Sequence, residues 1–326
     1  MTDKCDIWFA VLNVYAASKK AVSYWTKAEK RLNDRSLKYD CAMTGRDGSA
    51  MNITVRACRE GYRKFIAVGG DGTIHDVLNG IAEYIFSDEN TSCTFADFTL
   101  GVIPVGSGND WIKTAGIPKD VVAAVDAIVD GSRAAQDIVK VSVLKKSDIQ
   151  KKQSVSYMVN IGGVGIDARV SRYVNIEKKK GKRGKILYVT SLVRAIRERV
   201  PVDMKVFCDG VKVFEGPYLS LALGIGKYSG GGMRQTPAAV MDDGLLDLTI
   251  IPELPMMRII PAAPRLFTGS FLEIPELVTA RGKYITVYPC CNDALEPVEV
   301  DGENVGFAPV EFEVLDSQLN IAVPKL

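Results

Sequence analysis

Histidine is almost missing from this chain of 326 residues: His75 is the only one. A single imidazole excludes chemistry that needs several histidines for acid–base work, and it excludes a multi-histidine metal centre. Cysteine is present but unorganised, with seven residues at irregular spacing and Cys290 and Cys291 adjacent. An odd number with no CxxC pair is neither a disulfide framework nor a zinc site, and it predicts reduced, mostly buried thiols. Excess charge is lacking as well. The formal net charge is +2, which provides no basic surface for nucleic acid, so no such partner is expected. No apolar run reaches the length of a membrane span, and Met1-Thr2-Asp3-Lys4-Cys5-Asp6 has no apolar leader, so the expectation is a cytoplasmic protein. The Walker Lys-Ser/Thr and the protein-kinase motif set are absent.

What is present is organised around Phe65-Ile66-Ala67-Val68-Gly69-Gly70-Asp71-Gly72-Thr73-Ile74-His75-Asp76. A short apolar run reads as a buried strand, the glycines and Asp71 as a tight turn, and Ile74, Val77, Leu78, Ile81, Ala82 and Ile85 as the apolar stripe of a helix. Glycines between a strand and a helix N-terminus collect backbone N–H groups at the positive end of the helix dipole, and without Cβ atoms they admit a phosphate closely. A carboxylate in such a cradle repels its ligand unless a divalent cation bridges the two or the acid handles a proton. Asp71 therefore argues for Mg-nucleotide chemistry over plain anion binding. The alternative is a strand-to-helix turn without a ligand.

The chain is long enough for two cores. In its first part strands at 7–12, 37–43, the glycine-loop strand and 100–105 alternate with helices, whose stripes are Ala21, Trp25, Ala28 and Leu32, then Met51, Val55, Cys58 and Tyr62. A helix over 121–129 closes this part. The repetition predicts an α/β domain with a doubly wound open parallel sheet, in which ligands sit beyond the carboxyl ends of the strands. From about residue 135 the period changes to two. Residues 137–143 and Val155, Tyr157, Val159 and Ile161 alternate, and strand-like runs follow at 204–207, 218–223, 245–251, 284–288, 298–300 and 310–315, with a helix near 186–196. This predicts a second, mainly antiparallel β-sandwich domain. The expected division is 1–135 and 136–326, with the final residues able to pack back onto the first domain.

Five motifs occur in order: Gly69-Gly70-Asp71-Gly72-Thr73; Gly106-Ser107-Gly108-Asn109-Asp110; Asn160-Ile161-Gly162-Gly163-Val164-Gly165-Ile166-Asp167-Ala168; Gly230-Gly231-Gly232 followed by Val240-Met241-Asp242-Asp243-Gly244-Leu245; and Asp301-Gly302-Glu303. Together they resemble the diacylglycerol kinase catalytic domain family, in particular the bacterial lipid kinases, which are similar to sphingosine kinases. The resemblance implies ATP and Mg²⁺ as cofactors, with nucleotide in a cleft between the domains. Its phosphates would lie on Gly69, Gly70, Asp71, Gly72, Thr73, Ile74 and His75, with further contacts from Thr44 and from Ser107, Gly108 and Asn109. Asn13 keeps one residue of the family's first turn, whose Pro and Gly are replaced here. His75 stands where relatives often carry Asn.

The same resemblance places the general base at Glu303 with Asp301 beside it, and a third assisting acid at Asp137. An ordinary hairpin tip and a strand-start cap are the plain alternatives for these acids. It further implies a structural Mg²⁺ held by the carboxylate of Asp243 and the carbonyls of Val240 and Leu245, against a bare acidic turn. The implied acceptor is a lipid alcohol, reached by peripheral contact with the inner membrane face. The cationic run 178–185 and the apolar stretch 256–267 are candidates for that contact, against a solvated loop and a core-packed helix. A homodimer stays open. A kinase of a soluble acceptor such as NAD is the alternative within enzymes, and a non-catalytic nucleotide sensor the alternative outside them. The run Gly163-Val164-Gly165-Ile166-Asp167-Ala168 fits a dinucleotide fingerprint only superficially.

Overall fold

The computed structural model describes residues 4–16, 21–45, 47–87, 92–106, 108–144, 154–180, 185–198, 200–291 and 294–325. Two compact units divide the chain: Met1–Ile138 with Asp316–Leu326, and Val139–Leu315.

The first unit alternates β1 (Trp8–Leu12), α1 (Ala21–Asp34), β2 (Tyr39–Met43), α2 (Ala50–Arg59), β3 (Lys64–Gly69), α3 (Asp71–Ile85), β4 (Thr99–Pro104), α4 (Trp111–Thr114), α5 (Val121–Asp130) and β5 (Ser132–Gln136), and takes β17 (Leu319–Val323) from the far end of the chain. Its sheet runs β2-β1-β3-β4-β17-β5. Every pair is parallel except β17 with β5. All five residues of β1 are buried because helices cover both faces. Trp8, Ala10 and Leu12 meet the stripes of α1 and α5, while α2 packs behind β1 and against α3. The α1 stripe is the one its spacing predicts, Ala21, Trp25, Ala28 and Leu32. Gly80 sets the approach of α3 to α2, since a Cβ there would lie 2.7 Å from the Met51 carbonyl oxygen. Ser49 caps α2 by accepting the Asn52 N–H at 3.2 Å. Tyr62 is buried but stands beyond α2, where its ring meets Phe9 edge-on at 4.8 Å.

In the second unit β6 (Val139–Val143), β7 (Ser154–Met158), β8 (Ile161–Gly165), α6 (Ile166–Lys179), α7 (Lys185–Glu198), β9 (Val202–Cys208), β10 (Val211–Gly224), β11 (Leu246–Pro252), α8 (Met256–Ala262), β12 (Val278–Gly282), β13 (Tyr284–Pro289), β14 (Pro297–Val300), β15 (Glu303–Phe307) and β16 (Val310–Val314) form an antiparallel, sandwich-like domain. The path is β15-β14-β8-β10-β9-β13-β16-β6-β7, with β11 on β10 and β12 on β11. β10 links the two layers. Its first half pairs with β9 and its second with β8 and β11, with Gly216 at φ 146° where it bends. Strands of both layers feed one apolar core, including Val141, Val164, Met204, Leu221, Val287 and Phe312.

Several expectations change. The alternation from Val155 to Ile161 is not one strand, because the chain turns at Val159-Asn160 between β7 and β8. Residues 137 and 138 precede β6, and β5, ending at Gln136, belongs wholly to the first unit, so a division at 135 would cut it. Gly162 and Gly163 lie inside β8, opposite Leu223 and Ala222 of β10, and so are not the turn of a dinucleotide fingerprint. The thiols are not mostly buried: Cys58 and Cys208 are, whereas Cys41, Cys290 and Cys291 are exposed. Burial pushes the Cys58 thiol up to about 12, so it stays protonated.

Candidate active site

In the first unit the chemistry collects where β1, β2, β3 and β4 end. Gly69 closes β3, and a Cβ there would sit 2.1 Å from the Thr73 Oγ1, so only glycine lets the first turn of α3 fold back over its own strand. The Thr73 hydroxyl in turn accepts the Asn13 Nδ2 at 3.0 Å, while the Asn13 Oδ1 accepts the Tyr15 N–H at 3.1 Å. Asn13 thus joins the first turn to the third without the Pro and Gly of its relatives. Gly70 caps α3 in extended geometry with no side-chain cap of its own, and its carbonyl accepts the Thr73 N–H at 2.9 Å and the Ile74 N–H at 3.2 Å.

Asp71 is the first residue of α3. Its Oδ2 accepts the Asp110 N–H at 3.1 Å and its Oδ1 the Trp111 N–H at 3.2 Å, so one carboxylate ties the turn after β3 to the turn after β4. Asn109, buried with a φ of 49°, holds the second turn by donating its Nδ2 to the Gly106 carbonyl at 3.3 Å. A Cβ at Gly108 would lie 3.4 Å from Asp71 Oδ2, ordinary contact. Ser107 lies outside the described residues. His75 and Asn79 are buried one helical turn apart, with Asn79 Nδ2 on the His75 carbonyl at 2.9 Å and 3.3 Å from its Nε2. Thr44, after β2, carries a buried hydroxyl with no partner among the described residues, the kind of atom a bound nucleotide would satisfy. These residues fit a phosphate-bearing ligand. Asp137 is buried, and its Oδ1 accepts the Gln318 Nε2 at 2.7 Å, a bond that fastens the approach to β17.

In the second unit Val300-Asp301-Gly302-Glu303 is a two-residue hairpin between β14 and β15, with φ of 52° at Asp301 and 89° at Gly302, the type I′ form that Asp-Gly favours. The Asp301 carboxylate accepts the N–H groups of Val159 at 3.2 Å and Asn160 at 3.0 Å, so this acid braces the β7–β8 turn. Glu303, at the start of β15, is exposed. Sequence reasoning missed two acids behind the hairpin. Glu299 is buried and accepts the Gly302 N–H at 2.6 Å; burial, then the charge of Asp167, pushes its carboxyl well above the usual range. Asp167, opening α6, is also raised by burial, and hydrogen bonds from Ser220 and from Gln235 Nε2 at 2.8 Å oppose the shift.

The turn carrying Val240, Asp243 and Leu245 is held by its own acid. Asp243 Oδ1 accepts the Leu245 N–H at 3.1 Å, and its Oδ2 is ion-paired with Arg281, which also reaches Asp247 at 3.1 Å. The carboxylate expected to bind Mg²⁺ is thus engaged by a guanidinium. Along the apolar stretch Met257 and Phe267 are 87% and 56% exposed, while Arg258 and Arg265 pair with Glu276 and Glu273. In the cationic run, residues 181–184 and the side chains of 178, 179 and 185 lie outside what is described. Among the described residues no helix is long and apolar enough to cross a membrane.

Two family models match the chain: the diacylglycerol kinase catalytic domain over residues 8–141 and the YegS C-terminal NAD kinase beta sandwich-like domain over 159–323. With the glycine turns they define a phosphotransferase of the kinase type. The chain belongs to the family of the YegS C-terminal NAD kinase beta sandwich-like domain, and it carries a diacylglycerol kinase catalytic domain ahead of that sandwich. Diacylglycerol kinases from Staphylococcus carnosus and Staphylococcus epidermidis are each 28% identical to it over 86% of its length and 83% and 81% of their own. A solved diacylglycerol kinase structure from Bacillus anthracis is similar in fold, with a TM-score of 0.68 at 17% identity; a second from the same organism reaches 0.73 at 21%. Both cover 98% of this chain and 97% of the other.

Proposed function

We propose that this protein is an ATP- and Mg²⁺-dependent lipid kinase that transfers the γ-phosphate of ATP to the hydroxyl of a diacylglycerol-like or sphingoid acceptor. The observation that carries the reading is the state of the acids. The carboxylates of Asp71 and Asp301 are bound by backbone amides, whereas Glu303 stands exposed where the hairpin enters β15. Phosphoryl transfer asks mainly for positioning and charge neutralisation. In this reading the opening turn of α3 and Thr44 hold the triphosphate, Asp71 holds the cation that offsets its charge, and Glu303 removes the acceptor hydroxyl's proton. Asp301 and Asp137 hold the turns in place. The names of the relatives favour diacylglycerol as acceptor. A lipid substrate implies peripheral contact with a membrane surface, for which exposed Met257 and Phe267 are candidates.

The NAD kinase likeness of the second domain's family favours one competing reading, a kinase of a soluble acceptor. Transfer of labelled phosphate from ATP, measured in parallel to a lipid panel in mixed micelles and to NAD without detergent, separates the two. Labelled lipid upholds the proposal, and labelled NAD alone replaces it. ATP binding with no transfer to either would make the protein a sensor.

A further inference from the structure

The glycine pair of β8 makes room for a carboxyl that the proposed chemistry does not use. A Cβ at Gly163 would lie 3.2 Å from the Asp167 Cβ and 3.4 Å from Glu299 Oε1, and one at Gly162 would lie 3.0 Å from the Glu299 carbonyl oxygen. Glu299 fills the space they leave. It stands on β14, paired with Gly163 on one side and Asn304 on the other, at a bulge between Val298 and Glu299. From there its Oε2 accepts the Gly302 N–H and closes the inside of the hairpin that carries Glu303. The side-chain charges that act on it most are acidic. α6 contributes Asp167, the hairpin Asp301, and β15 Glu303, while β8 contributes only Gly162 and Gly163 opposite. Arg169 of α6 is bound by Glu296 at 2.8 Å.

We propose that Glu299 is a positioning residue for phosphoryl transfer: a carboxyl that remains protonated, holds the Asp301-Gly302 turn through the Gly302 amide, and by staying neutral lets Glu303 carry the negative charge a base requires. The proposal rests on Glu303 being that base. Glu299 is buried, and a charge on it would stand beside the acids of α6 and the hairpin and would strain the turn it holds. Burial, which disfavours the charged form of Glu299 first and most, supports the same assignment. Loss of the Glu299 proton then sets the alkaline limit of the reaction.

The test compares Glu299→Gln and Glu299→Ala with wild type in two measurements. The first is transfer from ATP to micellar lipid across mildly acidic to alkaline pH. Gln keeps the acceptor for Gly302 and cannot ionise, so it is expected within about threefold of the wild-type rate at the optimum, with the alkaline fall abolished. Ala releases the turn and is expected to lose about tenfold or more in kcat. The second is melting temperature against pH, which needs no substrate. A raised folded-state pKa gives stability that is whole below the ordinary carboxyl range and is lost as pH climbs through the raised value. The melting temperature of E299Q should therefore gain on wild type as pH increases. Parallel melting curves, an unchanged alkaline limb in E299Q, or E299Q as slow as E299A with both folded would each overturn the proposal. Diverging melting curves with no transfer by wild type would instead overturn the kinase reading and uphold the buried proton.

Discussion

Asp71 in the first unit and Glu299 in the second are both carboxyls pinned to backbone amides at a turn, yet their surroundings are opposed. Asp71 opens a helix, at the end where negative charge is favoured, and accepts two amides. Glu299 lies on a strand, accepts one amide, and faces acids. Backbone donors and a helix N-terminus surround the first acid and favour a charge there, whereas burial, then the charge of Asp167, disfavours a charge on the second. One residue type thus does two jobs, and the difference comes from the element that carries it.

Four further substitutions break or sharpen this contrast. Glu303→Gln has the largest effect: if only this acid handles the proton, transfer falls about 10² to 10⁴-fold while ATP binding and melting temperature hold. Retention of full activity would leave the second unit without a base. Gly69→Ala acts through shape, because the new Cβ overlaps Thr73; a loss on the order of 3 kcal/mol is expected in urea unfolding, with weakened ATP binding. Asp71→Asn keeps the outline but removes the charge from two amide bonds. It should cost roughly 1–3 kcal/mol in stability and should weaken Mg-ATP binding more than ATP alone, measured by calorimetry. Smallest is Ser49→Ala, which removes the α2 cap for about 1 kcal/mol and leaves the transfer rate as it was.

Legibility in the sequence followed the range of the interactions. The stripes of α1 and α3 and the Asp-Gly hairpin are written within a few residues, and each appears where its spacing points. β5 and β17 were not read as strands of the first sheet, because each is completed by the other across the whole second unit. α6 was missed because Arg169, Arg172, Asn175 and Glu177 interrupt its apolar pattern, while Val170 and Val174 still pack beneath it. Glu299 was illegible for a related reason. Between Val298 and Val300 it looks like the solvent-facing member of an alternating strand, but α6 covers that face and all of β14 is buried. Asp71 was read from its place between a strand and a helix N-terminus and Asp301 from motif position; their amide partners, at Asp110-Trp111 and Val159-Asn160, could not be read from either.

The place of β17 bears on how the molecule is made. It lies between β4 and β5, so a ribosome must deliver all of the second unit before the gap in the first sheet can close. Until then β4 and β5 present unpaired edges, and the nascent first unit is open to wrong partners and to proteolysis. Emergence of Leu319–Val323, not that of the glycine turns, is the moment at which that sheet can become whole.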